Sequence, residues 1–209
     1  MYCRALKRGL LLGSILALSC QPIAQSQALR QKVHAANADI NNFWIQKFRS
    51  FNREWRTPRA FEYTSRAQTP CGMAQRFNAL YCGLNHSIYL NIPLLVHVSQ
   101  RLGDFAAITI LAHEYGHAAQ RQLGLSRLHQ YLVQEELQAD CFAGAYARDA
   151  SRRGLLRPQD AQHGYLQSYA SGHLRFHAQT HGTRDQRARA YYLGYSRGFA
   201  SCLAYSRLQ

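Results

Sequence analysis

Two histidines four residues apart bracket a glutamate in the run His113-Glu114-Tyr115-Gly116-His117. On a helix, positions four apart differ by about 40° around the axis, so both imidazoles leave the same face. That spacing suits a single Zn²⁺ held by two ring nitrogens about 2 Å away. Glu114 lies about 60° beyond His117, too far round to share the ion comfortably but well placed to take a proton from a water beside it. A catalytic zinc also needs a third protein ligand and an open position. The next acidic cluster is Glu135-Glu136, followed by Asp140. Glu136 and Asp140 are again four apart: a Glu could complete the ligand set while the Asp one turn on braces a ligand histidine, fixing its ring and raising its basicity. Glu135, about 100° away, reads as solvated. The apolar neighbours Leu137, Ala139, Cys141, Phe142 and Ala143 argue against full exposure of this face.

Other residues of interest sit further along. His173, His177 and His181 also stand four apart, but glycines bracket them and no carboxylate is interleaved, so they read as loop or surface histidines. Arg187 and Arg189 could meet a substrate carboxylate, with solvated arginine as the plainer reading.

Helices must position this chemistry. Phe105, Ile108, Leu111, Ala112, Tyr115 and Ala119 recur at steps of three and four, predicting a buried helix with Asp104 as N-cap and Gly124 as its stop. A second helix is expected from about Leu128 to Arg152, and others at Pro158–Ala170 and Asp185–Ala204. Upstream, Val33, Ile40, Phe43, Trp44, Phe48, Phe51 and Trp55 mark an amphipathic helix over 29–56, ended by Thr57-Pro58. Residues 58–85 read as loops with short extended pieces, and Ser87–Leu90 as a short strand. The reading is α+β: mainly helical with a small β element, in one domain over 29–209.

Residues 1–28 read as an address. Arg4, Lys7 and Arg8 precede an apolar run from Gly9 to Ser19, too short for a membrane span and suited to a secretory signal peptide. Ser26 and Ala28 have the small-residue spacing that signal peptidase prefers, giving cleavage after Ala28; lipid attachment at Cys20 is the alternative. The formal charge of +14 then falls to +11. The chain is expected to be exported, periplasmic or secreted, with its positive balance drawing it to an anionic envelope. No basic run interleaved with aromatics appears, so nucleic acid is not an expected partner. Cys71, Cys82, Cys141 and Cys202 remain after cleavage. In an exported protein they read as two disulfides, with three connectivities open; Cys71–Cys82 is the local choice, leaving Cys141–Cys202.

Several blocks resemble the bacterial neutral zinc metallopeptidase family. They are Cys71-Gly72, Tyr81-Cys82, Ile88-Tyr89-Leu90, the run His113–Gln120, the run Glu136–Gly144, His181-Gly182-Thr183 with Gln186-Arg187, and Gly194-Tyr195. They span roughly residues 61–202, and the Glu-Leu-Gln-Ala-Asp-Cys block with a downstream His-Gly-Thr is far more specific than HExxH alone. The spacing is also similar to that of thermolysin-type gluzincins. The resemblance implies a zincin-like fold and one Zn²⁺ per chain on His113, His117 and Glu136. Glu114 would then be the general base, Asp140 the brace of His113, and a peptide or protein the substrate. It implies His181 as the oxyanion donor, ahead of Tyr195 or Tyr115. It also implies that the strand carrying Ile88 and Tyr89 is the edge on which an extended substrate pairs. Asn85 and Asn91 depart from the acidic residues expected there, which removes support for a second metal or charged role. The reading from another class is a catalytically silent zinc-containing binding protein of the envelope; the retained Glu114 argues against it.

Overall fold

The computed structural model describes residues 13–177 and 179–203, with side chains from residue 25 onward. The basic start of the leader and the side chain of Cys20 lie outside the described residues.

The chain begins with a long helix, α1 (Gly13–Arg49), whose Leu29, Val33, Ala36, Ile40, Phe43, Trp44 and Phe48 form one buried stripe. The helix stops at Arg49, short of the expected Thr57-Pro58. The chain turns at Asn52, which has a positive φ of 55°, and folds back so that Trp55 stacks on Trp44 at 5.6 Å. The ring of Trp44 also meets Phe142 edge-on at 5.2 Å, tying α1 to the helix that carries Glu136. Thus Trp55 belongs to the same core without continuing the helix.

Short strands follow: β1 (Arg59–Tyr63), β2 (Ala67–Thr69), β3 (Gly72–Ala74), β4 (Ala79–Cys82) and β5 (Ser87–Asn91). β2 and β3 form a hairpin, and the larger sheet has the order β1-β5-β4, with β5 parallel to β1 and antiparallel to β4. This overturns one expectation. Ile88 and Tyr89 lie on the central strand, whose two sides are taken by β1 and β4 and whose five residues are all buried. The edge beside the site is β4.

Helix α2 (Ile92–Leu102) was not anticipated, although its signals are present: Asn91 caps it by accepting from Leu94 N at 3.1 Å, and Pro93 sits in its first turn. Asn91 also accepts from Phe77 N and donates to Thr64 O, so this buried amide ties the sheet to the loop before β4. Its place in that network explains why an amide, with both donor and acceptor, stands there.

Helix α3 (Asp104–Leu123) carries the HExxH run and is buried on most sides. Gly103, not Asp104, is its N-cap; Asp104 is already helical and accepts from Ser99 and Lys32. Gly124 ends it in the left-handed conformation, as expected. After a 3₁₀ turn at Leu125–Arg127 come α4 (Leu132–Arg152), α5 (Asp160–Ala170), α6 (Arg184–Arg197) and α7 (Phe199–Cys202). Gly198, at φ 87°, splits the last expected helix into two. Helices α4 and α6 cross at backbone contact. A Cβ on Gly144 would lie 1.9 Å from Tyr191 O, and one on Gly194 1.9 Å from Cys141 O. Only glycine permits this crossing, and it sets Arg187 of α6 against Asp140 of α4.

Cys71 bonds Cys82 and Cys141 bonds Cys202. Two disulfides point to an oxidising, exported location. Among the described residues, no helix is long and apolar enough to cross a membrane.

Candidate metal centre

Helices α3 and α4 meet where Gly116, inside the HExxH run, faces Ala139; a Cβ at Gly116 would stand 3.0 Å from Ala139 Cα. This close approach brings Glu136 onto the two histidines. His113 Nε2 lies 3.1 Å from His117 Nε2 and 3.4 Å from Glu136 Oε2, and His117 Nε2 lies 3.6 Å from Glu136 Oε1. The three groups offer donor atoms all within 4.8 Å of one another.

Whether such a group suits a cation can be tested on its protons. His113 Nδ1 meets Asp140 Oδ1 at 2.9 Å, and His117 Nδ1 meets Gln120 Oε1 at 2.9 Å. The Gln120 amide is oriented by its own donations to Glu135 O and Gln138 Oε1, so its oxygen must face the ring. Each Nδ1 therefore carries a proton, and both Nε2 atoms are left facing each other and a carboxylate. Such a set needs a positive charge among its donor atoms, which a metal ion supplies when bound and a second proton on the His113 ring supplies otherwise. Tetrahedral coordination with bonds of about 2.05 Å separates donors by roughly 3.3 Å, close to the spacings found. The charges agree too. Glu114, Glu136 and Asp140 against Arg187 leave two negative charges, which a divalent ion would neutralise. The residues fit the group.

The electrostatics have the same sense. Burial opposes ionisation of His113, but the Asp140 carboxylate and the Glu136 contact outweigh it and push its pKa up to about 10. Burial likewise opposes ionisation of Glu136, yet hydrogen bonds from His113 and His181 hold it well below the usual carboxylate range. Asp140 is lowered in spite of its burial because Arg187 and His113 face it. A site that draws protons this strongly is a site of negative potential.

Arg187 is the residue whose role the sequence did not reveal. It is 6% exposed and grips Asp140 with Nε to Oδ2 at 2.7 Å and Nη2 to Oδ1 at 2.9 Å. It stands 3.9 Å from Glu136 and is no solvated arginine. Gln120 is the second, a neutral brace for His117. Its three-residue spacing from that histidine, on one helix face, was the available signal. Arg189 stays exposed. Glu135, expected in solvent, is half-buried and accepts from Ser126 Oγ at 2.8 Å.

The centre opens into a cleft of about 810 Å³ floored by α3 and α4 and walled by β4 and α5. Glu114 lines it, is 6% exposed, and makes no hydrogen bond to protein among the described residues. His181 reaches the cleft from the loop before α6, 53% exposed in its side chain, with Nδ1 2.8 Å from Glu136 Oε2. His173 and His177 lie in the same loop, away from helical geometry, with His173 stacked on His181 at 6.0 Å. Tyr115 faces the opposite way, fully buried, its hydroxyl on Asn37 Oδ1 at 3.0 Å, and Tyr195 lines a separate small cavity.

Comparison with known proteins bears on this geometry. Residues 17–205 match the family described as "Putative neutral zinc metallopeptidase". The chain is 28% identical to uncharacterized protein YpfJ of Escherichia coli strain K12, over 87% of this chain and 75% of that one. It is also 28% identical to uncharacterized protein Rv2575 of Mycobacterium tuberculosis strain H37Rv, over 80% of this chain and 67% of that one. No solved structure matches the chain significantly.

Proposed function

The chain belongs to that metallopeptidase family, and on this premise we propose an exported, zinc-dependent hydrolase of peptide bonds with Glu114 as its general base. The observation that carries the reading is a carboxylate with no protein hydrogen bond among the described residues, lining a cleft of about 810 Å³ beside three convergent donors. Its oxygens are free to accept from a water in the cleft, as a general base must.

His113, His117 and Glu136 would hold the ion, and Asp140 and Gln120 would fix the two rings. Bound there with one open position, zinc would lower the pKa of water to about 7 and polarise the scissile carbonyl. Glu114 takes the proton of the attacking water and returns it to the leaving amine. His181, which reaches the cleft from the loop before α6, is the proposed donor to the developing oxyanion. Because Nδ1 faces Glu136, Nε2 can donate only from the doubly protonated ring. The substrate lies along the exposed side of β4, adding a strand to the β1-β5-β4 sheet.

Export with loss of residues 1–28 is part of the proposal, with lipid attachment at Cys20 as the variant form. The first buried side chain among the described residues is Leu29, and Gln25, Gln27 and Ala28 are exposed, so a cut after Ala28 falls just before the described core begins.

The test pairs metal analysis with a peptide-library digest of the exported protein and its Glu114→Gln variant. Wild type should bind one zinc and cleave; the variant should keep the zinc and lose cleavage by at least about a hundredfold. Equal cleavage by both would sink the mechanism. Bound zinc with no cleavage by wild type would favour the silent binding protein.

A further inference from the structure

Arg121 stands one turn past His117 on α3 and lines the cleft. It lies against Gly83, the residue that follows β4: a Cβ at Gly83 would come within 3.0 Å of Arg121 Cδ, Cζ and Nη1. The missing side chain gives the guanidinium its berth beside the end of the edge strand. Arg56 is a second exposed cation in this neighbourhood: its carbonyl accepts from Gln122 Nε2, next to Arg121 on α3, at 3.0 Å and meets His86 Nε2 at 2.8 Å. Neither guanidinium has a hydrogen-bond or ion-pair partner among the described residues. The carboxylates of the cleft other than the base are engaged elsewhere: Glu135 with Ser126, Glu136 with the histidines, Asp140 with Arg187. A helix C-terminus favours a cation, which accounts for an arginine at 121 but not for the berth at Gly83 or for Arg56.

We propose that Arg121, with Arg56 beside it, binds a carboxylate of the substrate two or three residues from the bond that is cleaved. The distance follows from the helix. Four residues at about 1.5 Å each place Arg121 roughly 6 Å beyond His117, and an extended chain advances about 3.3 Å per residue. A peptide paired with β4 passes the guanidinium at the Gly83 end of the strand. The carboxylate is either an Asp or Glu side chain or the end of the peptide itself; in the second case the enzyme would trim short pieces from a C-terminus. The inference rests on the peptidase reading above.

Quenched-fluorescence peptides separate the two sources. One set scans Glu through the positions flanking the scissile bond with an amidated end, one carries Gln at the same positions, and one carries Gln with a free carboxyl end there. Wild type, Arg121→Gln and Arg56→Gln are compared after checks of melting temperature and zinc content. Wild type should prefer one carboxylate-bearing form over the amidated Gln peptide by roughly threefold to tenfold in kcat/KM. That ratio should fall to about one in Arg121→Gln, fall partway in Arg56→Gln, and shrink in 1 M salt, where the Debye length is about 3 Å. Preference for the Glu form identifies a side-chain site; preference for the free end identifies a terminus site. A wild-type ratio of one, or a ratio that survives Arg121→Gln, overturns the carboxylate site and leaves the peptidase reading standing. No cleavage of any peptide by zinc-loaded wild type overturns both.

Discussion

The two histidines of the HExxH helix are held by supports of opposite character. His113 leans on a charged pair, Asp140 and Arg187, sealed between α4 and α6. His117 leans on neutral amides, Gln120 backed by Gln138, whose Nε2 in turn donates to Cys202 O at 3.0 Å. Both supports are buried, and both put the ring proton on Nδ1. They differ in what they add. The charged pair leaves Asp140 ionised next to the metal donors and so supplies field as well as direction. The amides supply direction alone, and they reach the C-terminal segment that the Cys141–Cys202 disulfide fastens to α4. One histidine is thus tuned for attraction to a cation and the other is mainly aimed.

The contrast can be broken most forcefully at Arg187. Arg187→Met would leave the buried Asp140 with only the His113 ring beside it, and removing one partner of a buried ion pair costs about 3–5 kcal/mol. Chemical denaturation of the zinc-free protein should show it, and a loss below about 1 kcal/mol would mean that water already shares the load. A smaller effect is expected from Asp140→Asn, read as zinc affinity: the dissociation constant should rise about 10- to 100-fold as the carboxylate's field is lost. The smallest is expected from Gln120→Leu, also read as zinc affinity, at about tenfold or less, because only the aim of His117 is loosened. If Gln120→Leu weakened zinc as much as Asp140→Asn, field would have no part in the difference, and orientation would explain both braces.

How far these supports could be read in advance varies from residue to residue. Asp140 was legible because it follows Glu136 by one turn in a segment too apolar for an acidic surface patch. Arg187 was marked only by the Gln186-Arg187 block of the family resemblance, with no role attached: its carboxylate partner lies 47 positions away, and helix periodicity does not set it apart from the exposed Arg189. Its burial comes from the Gly144–Gly194 crossing, a contact between two backbones with no sequence period. The strand that borders the cleft was misassigned for a related reason. Ser87–Asn91 has the stronger β pattern because it is central and buried, whereas an edge strand such as β4 is short and half exposed, so the more obvious strand is the less available one. Helix α2 has local signals in Asn91 and Pro93 but only eleven residues to show a period, and α4 starts four residues after the expected Leu128 because a 3₁₀ turn at Leu125–Arg127 blurs its entry.

What the sequence determined alone is what the helix period determines: that His113, Glu114 and His117 share an arc, that Glu136 and Asp140 share another, and that the chain is mainly helical. Those relations follow from local dihedral angles, which a run of a few residues specifies. The tertiary structure decided which surfaces those arcs meet. It chose the disulfide pairing from three, buried Arg187, gave His117 an amide and His113 an ion pair, and made β4 the open edge. Each of these depends on close packing between elements far apart in the chain, and no periodicity encodes that.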